Sequence, residues 1–143
     1  RRPPRSTQSR SSAASDVYKR QQLEDKRILI LGLSFKPDTN DVRESVSLKL
    51  LDLLEGHVKS LSAHDPIAIS NAKAALRPDI NVDFITNWKS KVSDTDIIII
   101  ATNWIEYADL AEMNDKITGK IIFDTRSLLN KSNLREIRYI TVS

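Results

Sequence analysis

Ile97–Ala101, IIIIA, is the longest apolar run in the chain, and it limits the folds open to it. The run is far too short to cross a membrane. Asp96 before it and Thr102 after it frame a strand that is apolar on both faces, and such a strand needs cover above and below. Arg27–Leu33 is a second run of this kind. It contains Gly32, which lets backbone or ligand approach closely at a strand end.

Strand and helix patterns alternate around these runs. Asp41–Glu55 reads as a helix, with Asp41 as N-cap and Glu44 completing a capping box. Val46, Leu50, Leu53 and Leu54 share one face, and Gly56 suits the C-terminal cap. Val58–His64 is a weakly apolar strand that ends at Asp65-Pro66, and Ile67–Leu76 is a short helix closed by Arg77-Pro78. Asn81–Thr86 is a strand, Trp88–Val92 one or two helical turns, and Thr102–Met113 a loop with a short helix. Lys120–Asp124 is a strand, Asn130–Arg135 a turn, and Arg138–Val142 the last strand. The alternation predicts an α/β, three-layer Rossmann-like domain with a mainly parallel sheet of five or six strands. Ligands on such sheets bind outside the carboxyl ends of the strands. That points to Ser34–Asn40, Asp65-Pro66, Thr102–Trp104 and Thr125–Leu128.

Composition narrows the chemistry. The 143 residues suffice for one domain and include no cysteine. Disulfides, thiolate metal sites and a cysteine nucleophile are thereby excluded from this chain. His57 and His64 are not helix-spaced and lack an acidic cluster, so no metal site is expected. The net charge of +3 is uneven: of 22 basic and 19 acidic residues, six and one lie in 1–21, which leaves 16 and 18 for 22–143. The basic character belongs to the first segment, so neither nucleic acid nor membrane is an expected partner.

That first segment, residues 1–21, has no apolar periodicity and no signal-peptide core. Ser11–Gln21, SSAASDVYKRQ, is the direct translation of a transposase sequencing adapter. Arg1–Thr7 translates the flow-cell primer that precedes it, and Gln8–Arg10 fall where a barcode would lie. The expectation is a disordered, translated adapter at 1–21 and a domain at 22–143 that belongs to a longer gene. Resequencing the locus from unfragmented DNA tests it.

The loop after the first strand carries the chemistry. A dinucleotide fingerprint needs three glycines at this turn; G-L-S-F-K-P has one, so neither a self-contained NAD site nor a Walker loop is expected. A phospho-receiver would need acids where Ser34-Phe35-Lys36 stands. Lys36 follows the strand end, Pro37 stiffens the turn, and Asp38–Asp41 can bond the loop backbone. Arg43 falls in the predicted first helical turn, where a cation opposes the macrodipole unless an anion is near. Arg126, just past the fifth strand, adds a planar fork suited to phosphate. Anion binding competes here with Asp–Lys, Asp–Arg and Arg126–Asp124 pairing. Trp88, Trp104 and Tyr107 suit a rim or interface, Trp104 being nearest a strand end, and His64 a structural role.

G-L-S-F-K-P-D-T-N-D-V-R-E-S resembles a signature of the UDP-glucose/GDP-mannose dehydrogenase family, in its C-terminal domain. Ala63–Pro66, Ile97–Trp104 and Asp124-Thr125-Arg126 match further segments of that domain in the same order. The resemblance implies parent enzymes, cytoplasmic and homodimeric, that oxidise the C6 alcohol of a nucleotide sugar to a carboxylate with two NAD+. It implies an NAD-binding N-terminal domain, a helical middle domain that forms the dimer, and a C-terminal domain that closes over the sugar nucleotide. Phe35, Lys36 and Arg126 would contact substrate, and Arg43 would reach NAD held by the other domain. No catalytic residue lies in this chain, because the family's cysteine precedes this domain. UDP-glucose is the expected substrate. UDP-N-acetylmannosamine, GDP-mannose, or a nucleotide-binding module without chemistry are the alternatives.

Overall fold

The computed structural model describes residues 24–129 and 138–141. The segment 1–21 and the turn predicted at Asn130–Arg135 lie outside the described residues. β1 (Arg27–Leu31), β2 (Ser60–His64), β3 (Asp83–Phe84), β4 (Ile97–Ile100), β5 (Ile121–Asp124) and β6 (Arg138–Thr141) form one sheet in the order β3-β2-β1-β4-β5-β6. All five pairings are parallel. The fold is the expected α/β, Rossmann-like one, with six strands.

Period-2 alternation divides the apolar runs between two layers. Leu29, Leu31, Ile98, Ile100 and Ile122 face one core with Tyr107, Leu110 and Ile117. Ile28, Ile30 and Ile99 face the other with Leu51, Leu61 and Ala72. β1 and β4 lie side by side at the centre, Leu29 opposite Ile98 and Leu31 opposite Ile100. A fully buried Leu or Ile contributes about 2 kcal/mol, so the two central strands supply much of the stability. At the opposite, amino end, Arg27 donates to Asp96 through its main-chain N–H (2.8 Å) and through Nε and Nη2 (3.1 and 3.2 Å), joining the two strands.

The helices are shorter than the sequence suggests. α1 is Val46–Leu54, α2 Ile69–Ala75, α3 Trp88–Lys91 and α4 Asn114–Ile117, with 3-10 turns at Val92–Asp94 and Ile105–Glu112. The predicted capping box is not formed. Glu44 adopts φ +58°, which no helical residue does, and α1 starts after Ser45. Asp41 closes an Asx turn instead, accepting from the Arg43 N–H at 3.0 Å. Arg43 therefore precedes the helix, and its charge is met by the Asp41 carboxylate. Gly56 follows the helix at φ +86°, the left-handed conformation its position predicts. The strand predicted at Asn81–Thr86 shrinks to two residues at the sheet edge. Among the described residues no helix is long and apolar enough to cross a membrane, and no cluster of His, Asp or Glu could hold a metal ion.

Candidate functional site

Because every strand is parallel, the exits of β1, β2, β4 and β5 share one edge. Strand order reverses between β1 and β4, the switch point at which open α/β sheets bind ligands. The β1 exit lies there, and its main chain is almost fully engaged. Gly32 N–H donates to the His64 carbonyl at 2.8 Å, and Phe35 N–H to the Asp41 carbonyl at 3.0 Å. The N–H groups of Leu33 and Ser34 donate to Asp65 Oδ2 at 2.8 and 3.1 Å. Three successive carbonyls are met by hydroxyls: Gly32 by Ser47, Leu33 by Ser45 (2.7 Å) and Ser34 by Thr102 (2.6 Å). A buried polar group left unmet costs about 1–3 kcal/mol, so this saturation holds one backbone path. It displays Phe35 and Lys36 at the edge.

Both side chains are exposed, with the Lys36 ammonium 5.4 Å from the Phe35 ring centroid. Among the described residues no carboxylate lies within ion-pair distance of Lys36. Arg126 reaches over from the β5 exit. Its Nε donates to the Ala101 carbonyl at 2.9 Å, and its Nη2 to the Phe35 carbonyl at 3.0 Å. The Asp124 carboxylate takes the main-chain N–H of Arg126 (3.1 Å), the Leu129 N–H and the Tyr139 hydroxyl. The Arg126–Asp124 alternative thus reduces to a turn contact. The guanidinium is held against the peptide that leads into Lys36, with donors remaining on its outer edge. Phe35, Lys36 and Arg126 are brought together.

Arg43 lies further along the same loop. It is paired with Asp41 through Nε (3.0 and 3.1 Å) and Nη2 (2.6 Å). These hydrogen bonds hold the Asp41 carboxyl down at about 2, so the pair persists throughout the neutral range. Its side chain remains 87% exposed, and it borders an open cleft of about 350 Å³ with Phe35 and Glu44.

The β1 turn offers no dinucleotide cradle. Gly32 has φ +100°, and a Cβ there would lie 2.4 Å from Thr102 Cβ. The glycine admits a protein side chain, not a ligand, and the N–H groups after it are already used.

Residues 29–131 match the UDP binding domain of the UDP-glucose/GDP-mannose dehydrogenase family. The chain belongs to this family. UDP-glucose 6-dehydrogenase of Rickettsia conorii is 35% identical over 124 residues, which is 84% of this chain and 28% of that protein. UDP-glucose 6-dehydrogenase TuaD of Bacillus subtilis is 32% identical over 117 residues, 80% of this chain and 25% of that protein. A UDP-glucose dehydrogenase structure from Pyrobaculum islandicum superposes with a TM-score of 0.66 at 28% identity, over 94% of this chain and 30% of that one. The chain thus spans less than a third of the length of these dehydrogenases. Within the family domain, sequence reasoning put Asp65 and Thr102 in edge loops without giving them a role, and it missed the roles of Ser45 and Ser47. Their signal was faint: small polar residues beside apolar runs, with partners far away in sequence.

Proposed function

We propose that this domain is the nucleotide-sugar-binding part of a UDP-glucose 6-dehydrogenase. Phe35, Lys36 and Arg126 grip the substrate, and the Lys36 ammonium and the outer edge of the Arg126 fork face its phosphates. The observation that carries this is Arg126 locked onto the Phe35 carbonyl, in the peptide that leads into Lys36. That arrangement places two cations at the switch point. The names of the curated relatives favour UDP-glucose over UDP-N-acetylmannosamine or GDP-mannose.

NAD is bound elsewhere in a longer enzyme on this reading, since the β1 turn does not fit a dinucleotide. Arg43 makes a peripheral contact to it, because Asp41 leaves part of its fork unused. The dimer contact likewise comes from another domain.

Calorimetric titration of UDP and UDP-glucose into the chain is the test. Lys36→Ala and Arg126→Ala should each weaken binding about tenfold to a hundredfold, the cost of a lost charged hydrogen bond. Wild-type affinity in both variants would sink the assignment.

A further inference from the structure

Asp65 lies at the β2 exit, is 2% exposed, and is not needed as a counter-ion. Among the described residues it forms no ion pair, although it sits beneath the edge that carries Lys36 and Arg126. Its charge is met instead by neutral donors. Oδ1 accepts from the N–H groups of Ile67 and Ala68, each at 2.9 Å. Oδ2 accepts from Leu33 N–H, Ser34 N–H and, at 3.2 Å, the indole Nε1–H of Trp104. The two oxygens therefore do different things. Oδ1 closes the turn that leads to α2, and Oδ2 ties the β1 exit to the segment after β4.

The Oδ2 side reaches Lys36 in one more step. Ser34 Oγ is 2.8 Å from the Lys36 carbonyl and 3.3 Å from Asp65 Oδ2. A hydroxyl has one proton, and the shorter, better contact takes it, so Ser34 donates to Lys36. The backbone of Ser34 is held by Asp65, and its side chain holds the backbone of Lys36.

We propose that Asp65 is a positioning residue for the nucleotide-sugar site, acting through Ser34 to set Lys36 and through the indole N–H to set Trp104. This rests on the function proposed above. A carboxylate is suited to the task because it accepts on both sides at once. An amide would turn an NH2 group toward N–H donors on one side.

The test compares UDP binding by the wild-type chain with that of Asp65→Asn, Ser34→Ala, Lys36→Ala and the doubles with Lys36→Ala. Ser34→Ala removes one hydroxyl and leaves the Oδ1 contacts intact, so it decides the matter if Asp65→Asn does not fold. Each single change should weaken UDP binding about tenfold. Adding Lys36→Ala should cost far less than it does in the wild type, because neighbours in one network are not additive. The Trp104 indole N–H resonance should move in Asp65→Asn and stay in Ser34→Ala. Wild-type affinity in the folded variants, or losses that add fully to that of Lys36→Ala, overturns the assignment. A wild-type chain that does not bind UDP sinks the proposed function and this assignment with it. Wild-type binding with additive losses sinks the assignment alone.

Discussion

Gly32 shows how one residue can be legible in the sequence for the wrong partner. A glycine at a strand end signals close approach, and the approaching atom is Thr102 Cβ rather than a ligand. Gly32→Ala should therefore destabilise the chain by about 3 kcal/mol, from overpacking together with a left-handed backbone; urea unfolding measures it, and an unchanged midpoint would refute the packing. His64 makes a second test. It is buried, with Nδ1 2.9 Å from the Tyr107 hydroxyl, which lies 3.2 Å from the His64 carbonyl. Burial lowers its pKa below the ordinary value, with Glu106 and Asp65 opposing weakly. The unfolded chain protonates near pH 6.5 and the folded chain only at lower pH. Stability is then complete above about pH 6.5 and is lost as pH falls through the folded value. The urea midpoint should drop between about pH 7.5 and about pH 5.5, and an NMR titration of the ring should give a midpoint below that of a free histidine.

The start of α1 decides between two element-scale accounts. Local sequence favours a capping box of Asp41 and Glu44, whereas the chain uses Ser45 and Ser47 to meet the Leu33 and Gly32 carbonyls. Ser45→Ala and Ser47→Ala should each cost about 1–2 kcal/mol by leaving a carbonyl unmet. Glu44→Gly separates the accounts by sign. A capping box makes it destabilising; relief of a positive φ makes it neutral or stabilising by up to about 1 kcal/mol. Thermal melting of the three variants reads this out. Serines four or more residues beyond a helix signal carry no cue that they serve a distant strand, which is why they escaped sequence reasoning.

Taken as a whole molecule, the parallel order β3-β2-β1-β4-β5-β6 places four loops on one edge, and Arg126 of one binds the backbone of another at the residue before Lys36. On the proposed function, binding and chemistry are separable. The chain has no cysteine, and the close approach at Gly32 is taken by Thr102. Incubated with UDP-glucose and NAD+, it should produce no NADH. Formation of NADH by the purified chain would overturn that expectation.

Short-range pattern alone determined a good deal. Two-sided apolar runs imposed a covered parallel sheet, and the spacing of Lys36 and Arg126 from strand ends put both on one edge. Those properties depend only on period and direction, which the order of residues contains. Tertiary structure decided the rest. It set the helix start, the engagement of Asp41 with Arg43, the grip of Arg126 on the Phe35 carbonyl, and the convergence of donors on Asp65. Each of these is a hydrogen bond whose partner is chosen by geometry after the strands align, often from many residues away. The sequence names the donors and acceptors, and only the packed sheet says which of them meet.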